Sequence, residues 1–176
     1  MQYSIINDPR ALVTDLLTDG QAVYRVCTHP PAGKSAEVAR IRGTEPGQGA
    51  KALVCNYRQE GHRHYVLAVL AGDCQADLSR LAKALSVKKI SLASPDEVMK
   101  LTGCVPGAIP PFSFHPELRL IADPGLFERY KEIAFNAGSL EHSVILNTQD
   151  YRRIAQPELV SFVREEAAGS GETRNV

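Results

Sequence analysis

Apolar and polar positions along this chain switch repeatedly between a helical and a strand-like spacing. Leu12, Val13, Leu16 and Leu17 keep the spacing of one helix face. Asp8 and Pro9 supply an N-cap and a first helical position, and Gly20 supplies the stop. Residues 22–28 (AVYRVCT) have strand composition. The loop HPPAGK then ends near Ser35, which is placed to cap a second helix reaching Arg42. After the breaker GTEPGQGA, the runs KALVCNY and HYVLAVLA flank the turn RQEGHR, which predicts a central β-hairpin.

Leu78, Leu81, Ala82 and Leu85 return to helical spacing, and a strand is expected over 88–93. Ser94, Pro95 and Glu97 form a capping-box signature, predicting a helix from Pro95 to about Leu101 that stops at Gly103. LRLIA, EIAFNAG and SVILNT read as strands, with a short helix opening at Asp123 and Pro124. Thr148 or Asp150 opens a final helix that Pro157 interrupts or restarts. No repeat or linker divides the chain, and mixed helices with hairpin-like strands favour one α+β domain around a mixed sheet. The domain is assigned to residues 1–166, and the small, polar residues 167–176 (AAGSGETRNV) are expected to be a disordered tail.

The stretch 103–116, GCVPGAIPPFSFHP, breaks the pattern, because its prolines and glycines exclude both helix and central strand. Loops of this kind are usually polar, yet this one carries Val105, Ala108, Ile109, Phe112 and Phe114. That composition suits either a half-buried pocket wall or a buried connector.

Composition narrows the class. The chain has 176 residues, 44% hydrophobic and 23% charged, which suits one soluble globular domain. No apolar run approaches the ~20 residues of a membrane span, and the N-terminus lacks a signal-peptide pattern, so a cytoplasmic protein is expected. Cys27, Cys55, Cys74 and Cys104 stand far apart without a CxxC pair and are expected to be reduced packing residues. A net charge of zero gives no global attraction to nucleic acid and no expectation of DNA binding, although a local contact with a phosphate stays open.

The familiar catalytic signatures GxSxG, Walker loop, HExxH and GxGxxG are absent. His62 and His64 share one face of a strand but have no third ligand nearby, so an exposed hairpin end is the simpler reading than a metal site. Cys104 lacks an identifiable histidine to activate it and reads as packing. His29 and His115 each adjoin a proline and either line the pocket or serve as hydrogen-bonded structural histidines. Lys51 stands between the flexible GTEPGQG and the apolar ALVC, where it either displays a cation to a phosphate or is a solvated strand end.

KALVC with Lys51, GAIPP over 107–111 as a GxxxP loop, Asp123 in IADP and Gly138 in FNAG occur in this order, and together they resemble the YbaK family. That family comprises free-standing aminoacyl-tRNA deacylases similar to the editing domain of bacterial prolyl-tRNA synthetase. The resemblance runs from Val13 to Gln156 and is nearest to the stand-alone YeaK-type branch. It implies a single α+β domain with a mixed, curved sheet and surrounding helices. It also implies a trans-editing hydrolase that cleaves the ester of mischarged tRNA carrying a small amino acid, serine or alanine first, then threonine or cysteine. No metal and no cofactor are implied. The partners would be the acceptor end of the tRNA and a synthetase, and the alternative is a non-catalytic tRNA- or synthetase-binding module of the same fold.

By the same resemblance, Lys51 would hold the terminal nucleotide near its phosphate, and N–H groups around Gly107, Ala108 and Ile109 would polarise the ester carbonyl. Pro110, Pro111, Phe112, Asp123, Gly138 and His29 would complete the substrate site. An apolar loop lining the sieve points to selection by size, with each methylene worth ~1–3 kcal/mol.

Overall fold

Asp8 caps the first helix, α1 (Pro9–Asp19), by accepting the Ala11 N–H at 3.1 Å, and Val13 and Leu17 are buried on its inner face. The computed structural model describes residues 8–164, so the tail expected over 167–176 lies outside them. The chain continues through β1 (Tyr24–Thr28) and α2 (Ser35–Arg42) to the hairpin β2 (Ala50–Gln59) and β3 (His62–Ala71). Glu60 and Gly61 turn the hairpin with φ of 55° and 81°, the positive pair that a two-residue primed turn requires. Next come α3 (Leu78–Ala84), β4 (Ser91–Leu92), α4 (Pro95–Thr102), β5 (Leu118–Ala122), β6 (Glu132–Ser139), β7 (His142–Asn147), α5 (Thr148–Ala155) and β8 (Glu158–Leu159).

The architecture is α+β in a single domain, with the strands divided between two sheets. One sheet is antiparallel, in the order β1-β7-β6, and the other is mixed, in the order β4-β2-β3-β5-β8. A parallel bridge between Gly49 and Ala134 ties the sheets together beside β2. The hairpin is central, as its apolar runs require. Along β3, Leu67, Val69 and Ala71 face a core shared with β6, β7 and α1, while Val66, Ala68 and Leu70 face a second core with α3. Burial on both faces explains why β3 reads as a continuous apolar run rather than an alternating one.

Local differences from expectation have physical causes. Ser35 is the first helical residue of α2, not its cap, because Lys34 holds the extended cap position without a side-chain bond. The strand expected over 88–93 pairs with β2 only at Ser91 and Leu92, so the outer edge of β2 before Val54 stays open. The final helix is capped by Asn147, whose side chain accepts the Asp150 N–H, and it ends in left-handed Gln156. Pro157 therefore leads into β8 and does not restart a helix. The helix expected at Asp123 is a single 3₁₀ turn, Pro124–Phe127.

Candidate active site

The open edge of β2 forms one wall of a cleft of about 250 Å³ between the two sheets. Ser35, Val38 and Arg42 of α2 face it from one side, Gly107 and Ile109 from the apolar loop, and Ala134 to Asn136 from β6. Lys51, the second residue of β2, is half-buried at this wall, and its ammonium has no hydrogen-bond or ion-pair partner among the described residues. Lys51 and Arg42 are both cations, and no carboxylate among the described residues lines the cleft. An anionic or acceptor-rich ligand fits such a site.

The loop is held from behind. Gly107 has φ +90°, in the region that favours glycine, and its carbonyl accepts a hydrogen bond from Asn136 Nδ2 at 2.8 Å. The Ala108 N–H donates to the Val105 carbonyl at 3.0 Å, and the Ala108 carbonyl accepts the N–H of Gly138 at 2.8 Å. Both peptides around Ala108 are thereby locked. The expectation of three donors is corrected at this point: the Ala108 N–H is engaged within its own turn, and Ala108 does not line the cleft. The N–H groups of Gly107 and Ile109 keep no partner among the described residues, and both residues line the cleft.

The other expected site residues are put to different uses, and none lines the cleft. Pro110 and Pro111 are buried, and the Pro111 carbonyl accepts the hydroxyl of fully buried Tyr151 at 2.7 Å. Phe112 is core, set edge-on to Phe135 and Tyr151. Asp123 is a structural cap: its carboxylate accepts the N–H groups of Gly125 and Phe162, each at 3.0 Å. Gly138, with φ +87°, lies so close to Pro9 that an added Cβ would stand 2.8 Å from the proline Cβ. His29 is buried behind the cleft, with Nδ1 2.8 Å from the Pro30 carbonyl and Nε2 2.7 Å from Ser143 Oγ.

His29 leads to a polar network that sequence reasoning missed. Arg42 Nη1 donates to Ser143 Oγ at 3.0 Å, and Ser143 donates to Asn136 Oδ1 at 3.1 Å. Asn136 in turn donates to the carbonyls of Ala32 and Gly107, each at 2.8 Å. Burial lowers the pKa of Arg42 to about 10, and a smaller interaction with Cys27 acts in the opposite sense. A polar Asn inside the apolar run IAFNAG was the available signal for this network. Arg42, at a helix C-terminus, had the look of an ordinary solvated cation.

Cys104 is buried, which pushes its thiol up to about 11, so the side chain is inert at neutral pH. His64 stacks on Tyr57 with ring centroids 5.2 Å apart, and no group of three or more potential metal-ligating side chains exists among the described residues. None of the described helices is long and apolar enough to cross a membrane.

Residues 29–154 of this two-sheet α+β frame match the aminoacyl-tRNA editing domain family. The chain belongs to that family. It is 62% identical over 149 residues, 85% of this chain and 89% of the relative, to the multifunctional Ser/Thr-tRNA deacylase ProXp-y of Escherichia coli K12. A proline–tRNA ligase of Trichlorobacter lovleyi is 34% identical over 104 residues, which are 58% of this chain and 17% of the ligase. Among solved structures, a candidate trans-editing enzyme for prolyl tRNA synthetase has the same fold, with a TM-score of 0.74 at 21% identity over 91% of this chain and 99% of the other.

Proposed function

We propose that this protein is an aminoacyl-tRNA deacylase that removes serine or threonine, and by extension other small residues, from mischarged tRNA. The observation that carries the reading is the pair of unpartnered N–H groups of Gly107 and Ile109 at the cleft: the Ile109 N–H belongs to the peptide that Gly138 holds through the Ala108 carbonyl, and Gly107 is itself held through its carbonyl by Asn136. Donors fixed before substrate arrives stabilise a developing oxyanion without reorganisation. The 62% identity to a Ser/Thr-tRNA deacylase supports the substrate class.

In this mechanism Lys51 holds the phosphate of the terminal nucleotide, and the ester carbonyl lies against Gly107 and Ile109. Water, oriented by the neighbouring ribose hydroxyl, adds to the carbonyl carbon and loses a proton as the tetrahedral oxyanion forms. Collapse breaks the bond to the ribose oxygen, which takes up a proton, releasing free amino acid and intact tRNA. The protein supplies position and charge stabilisation and requires no nucleophile of its own, in keeping with the inert Cys104. The proline–tRNA ligase relatives support a synthetase as partner, and an aminoacyl-tRNA substrate supports placement in the cytoplasm.

The test is to incubate the protein with tRNAs charged with labelled serine, threonine, alanine or cysteine. Release of free amino acid at catalytic protein concentrations is expected. Stoichiometric binding without release would replace the deacylase with a binding module of the same fold.

A further inference from the structure

Selection by an apolar, size-excluding wall leaves the polar inner end of the cleft unexplained. The side chain of Arg42 lines the cleft, and its Nη1 is anchored on Ser143 Oγ, which is fully buried. Its Nε is shut from solvent and has no partner among the described residues. Nη2 lies along Gly49, another residue of the wall, 3.8 Å from where a Cβ on that glycine would stand. Nε is out of a ligand's reach, but Nη2 has no hydrogen-bond partner among the described residues, and a half-buried guanidinium with no carboxylate beside it gains from an acceptor that a ligand supplies there.

The fixed geometry narrows the acceptor. A terminal phosphodiester continues into the rest of the tRNA, so it must lie at the open side of the cleft. Arg42 is tied to the closed side through Ser143 and through Asn136, the residue that also holds the Gly107 carbonyl. With the ester at Gly107 and Ile109, the part of the substrate that reaches inward is the amino-acid side chain. On the deacylase reading, we infer that Arg42 is a specificity residue whose guanidinium donates to the side-chain hydroxyl of serine or threonine. Ser143 and Asn136 position it. Alanine and valine, which fit by size but lack the hydroxyl, leave the guanidinium unpaired and are disfavoured by hydrogen bonding instead of by volume.

The experiment uses the full chain and one tRNA charged in turn with serine, alanine, threonine and valine. The last two differ only by hydroxyl against methyl. Wild type is expected to favour serine over alanine and threonine over valine. Arg42→Gln should shrink both ratios by roughly tenfold or more, the worth of a hydrogen bond to a charged donor, mainly by slowing the hydroxylated substrates. Arg42→Lys should retain part of each ratio. Ser143→Ala, which leaves the guanidinium in place but frees its anchor, should shrink the ratios less and serves as the second variant if Arg42→Gln does not fold.

A folded Arg42→Gln that keeps both ratios overturns the inference. So does a variant that slows all four esters equally, since that pattern belongs to a nucleotide contact or a structural role. If wild type hydrolyses none of the four, the deacylase reading itself fails. A wild type that cleaves seryl and alanyl esters equally well contradicts only the role of Arg42.

Discussion

Asn136 holds the Gly107 carbonyl through its side-chain nitrogen at 2.8 Å, and the same nitrogen holds the Ala32 carbonyl at 2.8 Å. One buried amide thus ties the loop after β1 to the GxxxP loop and fixes the peptide that follows Gly107. Asn136→Asp keeps the shape but loses both donors and turns an acceptor toward two carbonyls. We predict a stability loss of about 2 kcal/mol, the cost of leaving buried carbonyls unpaired. We also predict a fall in kcat of roughly tenfold or more with a smaller change in KM, because the misplaced groups act on the oxyanion. Single-turnover deacylation and urea unfolding measure both. An unchanged kcat would mean that the loop keeps its geometry without this tie.

Within the loop, two neighbours should behave differently. Gly107 has φ +90°, and a Cβ there would stand 3.4 Å from the Cα and carbonyl oxygen of Gly33. Gly107→Val combines backbone strain of ~1–3 kcal/mol with a side chain at the mouth of the site, so activity on every mischarged tRNA should collapse while the domain stays folded. Ile109→Ala trims a wall residue and leaves the backbone donors intact. It should speed hydrolysis of isoleucyl relative to seryl esters, within the ~1–3 kcal/mol that pocket methylenes control. Parallel rate measurements on one tRNA decide whether the two substitutions separate in this way.

The elements were legible where local chemistry dominates. The caps at Asp8 and Ser94, the hairpin turn at Glu60 and Gly61, and the double-sided apolar run of β3 each carry their own signal. Lys51, Gly107 and Ile109 formed a set only through the resemblance to a family, since each has an ordinary local reading, and the fold brings all three to one cleft. The division into two sheets was not legible, since it depends on long-range pairings, β1 with β7 and β3 with β5. The Arg42–Ser143–Asn136 network was hidden for the same reason: its bonds span 101 and 7 residues, and nothing local distinguishes a buried arginine from a solvated one. Phe112, Asp123 and Gly138 sit in conspicuous motifs because they are structurally demanding, and the cleft does not include them.

Cys104 adjoins the loop yet is buried, and its Sγ donates to the Thr102 carbonyl at 3.4 Å. With its thiol raised to about 11 by burial, it is not a nucleophile at neutral pH. Cys104→Ala should leave deacylation within a few-fold of wild type and cost about 1 kcal/mol of stability. A loss of activity by two orders of magnitude in a folded variant would assign the chemistry to the thiol.

Glu97 knots α4 to the hairpin. Its carboxylate accepts the Ser94 N–H at 2.9 Å, the Tyr65 hydroxyl at 2.9 Å, Arg63 at 3.0 Å and Asn56 at 3.1 Å. The Ser94 backbone bond is the largest cause, followed by Tyr65 and Arg63, and together they hold its pKa down to about 2. A carboxylate depressed on folding stabilises fully above its unfolded value of about 4.3, and the contribution is lost as pH falls toward 2. Glu97→Gln should therefore melt lower than wild type at pH 7, with the gap narrowing between about pH 4 and pH 2. A gap that stays constant across this window would remove the carboxylate's charge from the account.

The central claim is that a cleft built on Lys51 and the locked loop hydrolyses mischarged tRNA. It is tested most directly by the rate at which free serine and threonine leave mischarged tRNA at subsaturating concentration, with wild type and Lys51→Ala compared side by side. The expected result is rapid release by wild type and a fall of about a hundredfold in the variant, on the order of the ~3 kcal/mol of a charge-assisted contact, with the melting curve unchanged. Equal release by the two proteins, or release no faster than spontaneous hydrolysis with either, would contradict it.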